Sequence, residues 1–197
     1  QLGGVPPKGY ADWAWVQHML TSADPNTGRV GVVLPQGALF RQGAEARIRT
    51  HILQAKKVEA VIGLAPNLFY GTGLAACVLI LRHQRPVDQQ DKVLFINGED
   101  LMKKGRNQNT LEPEHAKALF DAYRGFADIE GRAYVADLAE IEGNEFNLNI
   151  PLYVAPADTG EKITLADALA NLEAAHARTQ ETRAALEAEL AKWGLSA

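Results

Sequence analysis

The sequence predicts a layered α/β fold, and three observations lead there. Apolar runs of strand length alternate with stretches of helical period through residues 11–64, the order expected when helices connect strands of one sheet. The apolar run at 74–81 follows its predecessor after a loop too short to hold a crossover helix, so it is expected to run antiparallel to a neighbour. Residues 164–197 are rich in Ala, Leu and Glu at helical spacing, which predicts a long helical tail.

After the Gly/Pro-rich start QLGGVPPKGY, residues 11–20 set Trp13, Val16 and Leu20 on one helical face, with Asp12 as the expected cap. Asp24, Pro25, Asn26 and Gly28 make a turn. Val30, Val32, Val33 and Leu34 then form an apolar strand of the kind buried on both faces, ended by Pro35 and Gly37. Ile48, Ile52 and Leu53 repeat at helical spacing, and the β-branched run at 58–64 is the next strand. This alternation predicts parallel strands, and the run at 74–81 adds a reversed one. Residues 92–97 read as a further strand and 113–123 as a helix with proline in its first turn. Between them MKKGRNQN, at 102–109, is polar and expected to be exposed. Residues 132–154 carry no sustained period. The expected organisation is a main domain over 1–130, an irregular connecting segment over 131–163 and a helix over 164–197.

Thr164 and Asp167 form a capping pair for that last helix, and Gly194 lies past its end. Along it Leu165, Leu169, Leu172, His176, Thr179, Arg183, Leu186, Leu190 and Trp193 step by four and three, a heptad seam with a polar middle. The seam fits packing on the chain's own domain or contact with another subunit. Its length, its position and the polar stretch at 155–162 favour subunit contact through Leu165, Leu169, Leu172, Leu186, Leu190 and Trp193.

Composition narrows the function classes. An apolar content of 47% in 197 residues supports a folded core. A net charge of −4 and an isoelectric point near 5.7 do not advertise a free-standing nucleic-acid binder, so any DNA contact is expected to be local or shared. The single cysteine, Cys77, excludes an internal disulfide and fits a reducing compartment. No apolar run approaches the roughly 20 residues that span a bilayer, and the reading is a cytoplasmic protein without a membrane partner. His18, His51, His83, His115 and His176 are scattered, so no metal is expected. No Ser or Cys sits in a nucleophile elbow. The start at Gln1 rather than Met suggests part of a longer polypeptide.

Four blocks in one order carry a resemblance: GRVGVVLPQGALFRQGAEARIR at 28–49, VIGLAPNLFYGTG at 61–73, GRNQN at 105–109 and FNLNIPLYV at 146–154. Through them the chain resembles the C-terminal part of the modification (methyltransferase) subunit of type I restriction-modification systems. The resemblance implies the second half of a Rossmann-like class I S-adenosylmethionine-dependent methyltransferase sheet, with a reversed last strand. It also implies transfer of methyl to adenine N6 in double-stranded DNA, in complex with a specificity subunit and a restriction subunit. The family's cofactor glycine loop and its N-P-P-F/Y loop are absent from this sequence; Val5, Pro6, Pro7 and Lys8 lack both the amide before the prolines and the aromatic after them. S-adenosylmethionine is therefore expected to bind mainly to a missing N-terminal half, leaving the chain alone inactive. The alternative is a methyltransferase-like assembly module that docks a partner through its C-terminal helix.

Phe69, Gly71 and Gly73 spell F-x-G-x-G, the letters of a cofactor loop. Such a loop should run from a strand into a helix, whereas this one runs into a strand. The resemblance instead makes Phe69 the aromatic that stacks on a flipped adenine, with Tyr70 as its neighbour; the alternative is a core plug. Gly71 and Gly73 suit a tight turn. Pro35, Gln36 and Gly37 stand at the carboxyl end of a parallel strand, where open α/β sheets bind ligands, or form a simple turn. Lys103, Lys104, Arg106, Asn107 and Asn109 combine phosphate-seeking cations with amides, a DNA-contact pattern, or a solvated loop. Arg41, Arg47 and Arg49 form a second cationic group.

Overall fold

The computed structural model describes residues 3–155 and 164–194, and the chain divides into two compact units, Gln1–Ala157 and Asp158–Ala197. The first contains α1 (Asp12–Ser22), β1 (Arg29–Pro35), a 3-10 turn (Gln36–Leu39), α2 (Ala44–Gln54), β2 (Val58–Gly63) and β3 (Ala76–Arg82). It continues with β4 (Lys92–Ile96), α3 (Pro113–Gly125), β5 (Ala133–Asp137) and α4 (Leu138–Gly143). The sheet has the order β1-β3-β2-β4-β5.

Strand β3 is antiparallel to both β1 and β2, as the short preceding loop requires. It separates two strands that point the same way. Two further strands follow it: β4 adds parallel to β2, and β5, itself reversed, adds antiparallel to β4. The short segments that build this extension have too few residues to display a period.

Every residue of β2 is buried, which explains a mostly apolar run rather than an alternating one; the exception, Glu59, faces Arg29 and Arg82. Val61 faces a core shared with Trp13, Val16, Ile48 and Ile52, while Ala60 and Ile62 face a second core with Leu119 and Ala122. Each fully buried aliphatic side chain contributes about 1.5–3 kcal/mol, so the central strand anchors both layers. Cys77 is fully buried on β3; burial pushes its thiol up to about 12, the behaviour of a core residue.

Trp13, Val16 and Leu20 are the buried face of α1, as their spacing predicts. Asp12 does not cap that helix; the N-cap position is Ala11, without a side-chain bond. The Asp12 carboxylate accepts from Arg41 at 2.9 Å instead, because a cation brought in by the fold competes successfully for it.

Residues 131–163 are not simply an irregular connector. β5 and α4 lie within this range, and Leu148, Ile150, Tyr153 and Val154 enter the first core. Tyr153 stacks on Phe95 with ring centroids 3.9 Å apart and planes 13° from parallel. These elements are only a few residues long, and what buries them lies far away in sequence. The part of the expected connector at 156–163 falls outside the described residues.

The second unit contains α5 (Leu165–Ala191), started by the reciprocal Thr164–Asp167 capping box. Gly194 takes φ +67° past its end. Leu165, Leu169, Leu172, Leu186 and Trp193 are exposed, and Leu190 is partly so. A lone helix has nothing of its own against which to bury such a seam. Among the described residues no helix is long and apolar enough to cross a membrane.

Candidate functional site

Two connections meet at the carboxyl ends of β1 and β2. Pro35 ends β1, the 3-10 turn after it carries Gln36 and Gly37, and the loop at 64–75 joins β2 to β3. Register brings them together, since Pro35 pairs with Ala76 at the start of β3.

The turn after β1 is held from beneath by buried donors. Trp13 Nε1 donates to the Ala38 carbonyl at 2.9 Å. Arg49, fully buried, donates from Nε to Phe146 O at 2.8 Å and from one terminal nitrogen to Ala38 O at 3.3 Å and Arg41 O at 3.0 Å. Burial pushes its guanidinium down to about 10. The cation ties the block at 28–49 to the block at 146–154, and Leu148 N–H donating to Leu39 O at 3.0 Å adds a second tie. Arg41 is committed to Asp12 and Glu45 and lies 4.4 Å over the Tyr10 ring. Of the second cationic group only Arg47 is exposed. Gly37 makes room for Arg41, whose Nε would lie 2.9 Å from an added Cβ. Burial holds the Glu45 carboxyl above its usual range despite the neighbouring Arg41.

The loop after β2 is a narrow hairpin tip. Phe69 and Thr72 bridge across a turn whose third residue, Gly71, takes φ +77°, a conformation cheap only for glycine. Leu68 packs against the second core, so Phe69, its neighbour, points elsewhere. Phe69 is 40% exposed and Tyr70 94% exposed; the core-plug alternative belongs to Leu68. Phe69 lines a cleft of about 240 Å³ with Val33, Leu34, Pro35, Thr72, Leu74, Ala75 and Ala76. The cleft walls are almost wholly apolar, and the Thr72 hydroxyl, which accepts from Leu74 N–H at 3.1 Å, is the one polar side-chain group that the described residues place on them. Gln36 and Gly37 sit beside this cleft in sequence without lining it.

A polar hairpin closes on the loop from the side. Lys103 and Thr110 exchange backbone bonds at 2.9 and 3.0 Å. Gly105 belongs there because a Cβ would run into the Gln108 carbonyl oxygen. Gln108 Nε2 donates to Leu68 O at 2.7 Å, and Asn109 Nδ2 donates to Pro66 O at 2.9 Å. Asn109 N–H donates to Asn67 O at 2.8 Å, and Asn67 Nδ2 returns a bond to Asn107 O at 3.2 Å. The five residues expected to contact DNA thus divide. Lys103, Lys104, Arg106 and Asn107 are exposed, with Lys103 3.9 Å from Glu112, whereas the Asn109 side chain is engaged within the protein. Gln108 and Asn67, which sequence patterns did not single out, complete the arrangement. A polar residue between two expected DNA contacts was the available signal for Gln108; its pairing with the Leu68 carbonyl, forty residues away, had none.

Comparison with known proteins places these features in context. Residues 1–162 match the family described as N-6 DNA Methylase. The type I restriction enzyme MjaVII methylase subunit of Methanocaldococcus jannaschii is 43% identical over 166 residues, covering 83% of this chain and 28% of the relative. The HindI methylase subunit of Haemophilus influenzae is 30% identical over 198 residues, covering 96% of this chain and 44% of the relative. The crystal structure of a type I restriction-modification methyltransferase subunit from Streptococcus thermophilus superposes with a TM-score of 0.74 at 37% identity, covering 78% of this chain and 32% of that one. The chain therefore spans less than half the length of each of these relatives.

Proposed function

The chain belongs to the N-6 DNA methylase family, and from that premise we propose that it supplies the target-base part of a DNA adenine-N6 methyltransferase subunit in a type I restriction-modification system. A base inside a duplex must leave the stack before an enzyme can act on its exocyclic amine, and the extruded base is held by stacking on aromatic or apolar side chains. One observation carries the reading: Phe69 stands half-exposed on the wall of an apolar cleft of about 240 Å³ at the carboxyl end of β1. That volume lies below the roughly 300–1,000 Å³ of sites for drug-sized ligands and suits a single planar base. Val33, Pro35 and Leu74 would exclude water from its faces. Tyr70 at the hairpin tip and the cations Lys103, Lys104 and Arg106 would face the DNA backbone, where charge positions a protein without reading sequence.

The cleft residues do not suit a methyl donor. S-adenosylmethionine carries an ammonium group and ribose hydroxyls, which call for carboxylate or several polar partners, and this cleft offers one hydroxyl. The glycines of 69–73 shape a β-turn leading into β3 rather than a helix N-terminus. Donor binding is assigned to residues of the subunit outside this chain. The exposed seam of α5 is assigned to contact with another subunit of the complex.

In the complete subunit, Phe69→Ala should lower the rate of adenine methylation about 10–100-fold, the equivalent of one stacking contact of about 1–3 kcal/mol, while donor affinity stays unchanged. Single-turnover methylation with parallel donor titration tests this. Unchanged turnover removes Phe69 from the site.

A further inference from the structure

We propose that the polar hairpin at 103–110 is a positioning element for the base-holding loop, with Gln108 and Asn109 as positioning residues; the role rests on the reading of Phe69 given above. Three successive carbonyls, those of Pro66, Asn67 and Leu68, are all captured by this one hairpin, at 2.9, 2.8 and 2.7 Å. The next residue is Phe69.

The loop needs such a restraint. The β2–β3 ladder ends at the Gly63–Cys77 pair. Beyond it the Leu64 N–H to Ala76 O bond, the Asn67 N–H to Gly73 O bond at 3.3 Å and the Phe69–Thr72 bridge tie the two sides of the loop. Asn67 is held at φ +58°, a left-handed conformation that costs a non-glycine residue. Fixing three consecutive peptide planes from outside removes the rotations that would otherwise swing the Phe69 side chain across the cleft mouth. Amide side chains are suited to holding carbonyls in this way, because each offers an N–H donor without the desolvation cost of a cation. Gly105 allows the hairpin to fold back closely enough to present them.

The same geometry places exposed Lys104 and Arg106 on the turn of the hairpin whose stem fixes Phe69. A backbone phosphate engaged there would be registered directly to the base-holding loop. The inference differs from a DNA-contact role for Asn109, because its amide is already bonded within the protein.

The test pairs amide hydrogen exchange with kinetics, using Gln108→Glu, which keeps size but removes the donor, and Gln108→Ala. In the 197-residue chain both variants should speed exchange of amides at 67–74 by about three- to tenfold, the effect of one net hydrogen bond. Amides in β3 should be unaffected, which also reports that the fold is intact. Unchanged exchange at 67–74 overturns the clamp. In the complete subunit the neutral Gln108→Ala should lower the methylation rate constant and leave KM for DNA and donor affinity alone. A loosened loop with full methylation overturns the positioning role if Phe69→Ala is impaired. If Phe69→Ala is also fully active, the failure belongs to the base-holding reading itself.

Discussion

The two connections at the mouth of the cleft are restrained in opposite ways. The turn after β1 is held from beneath by Arg49 and Trp13, both fully buried, and by the 146–154 segment packed below. The loop after β2 is held from the side by neutral amides on a solvent-facing hairpin. Because a buried donor cannot be replaced by water at low cost, whereas an exposed amide partly can, the first restraint is tied to global stability and the second to local order. The turn beside the cleft is therefore a floor expected to move only on unfolding, and the Phe69 loop a wall expected to loosen by itself.

The strongest break in that contrast is Arg49→Met. It leaves the carbonyls of Phe146 and Arg41 without their donor, and buried unsatisfied groups cost about 1–3 kcal/mol each. A loss of about 3–5 kcal/mol is expected from the denaturant midpoint, as two such groups and the lost packing together imply. A loss no larger than that caused by Gln108→Ala would show that the floor and wall are equivalent.

Gly105→Ala should act almost entirely on the wall. The added Cβ meets a backbone oxygen rather than a movable side chain, so the hairpin must open. Exchange protection at 66–73 should be lost, while global stability falls by less than about 2 kcal/mol. A collapse of global stability would make the hairpin part of the core.

The smallest effect is expected at Asp100, which lies in the segment after β4 and pairs with Arg132 just before β5, with Nη2 to Oδ2 at 2.8 Å. The hydrogen bond from Arg132 holds this carboxyl below its usual range, so its contribution is present above the ordinary aspartate value, about 3.9, and is lost as pH falls through the folded-state value. The side chain is mostly exposed, which limits the contribution to below about 1 kcal/mol. Asp100→Asn should thus lower the midpoint slightly at neutral pH and leave it unchanged in strong acid. A penalty that persists in acid would rule out charge as its source.

How much was legible beforehand depended on the range of the interactions involved. Trp13, Val16 and Leu20 declare their helix face because the period is local, and the short loop before β3 dictates its reversal because chain geometry forbids a crossover. The Thr164–Asp167 box is readable for the same reason. Asp12 misleads because Arg41, twenty-nine residues on, takes the carboxylate that a local rule assigns to a cap. The block at 146–154 was recognisable as letters, yet its role as packing beneath the cleft depends on Arg49, ninety-seven residues from Phe146. At the candidate site Phe69 and Pro35 were both named, while their meeting with Val33 and Leu74 in one cleft required the β1–β3 register.

The sequence by itself determined the longer helices and strands though not β5 and α4, where the chain must reverse before β3 and which family it joins, since each follows from local period, turn chemistry or shared blocks. Tertiary structure alone decided that Asn109 faces inward, that Arg49 is a buried tie rather than a cation for DNA, and that GRNQN closes on the Phe69 loop. Those assignments turn on which distant carbonyl lies within about 3 Å of a donor, the range over which a hydrogen bond forms. One-dimensional spacing carries no such distance.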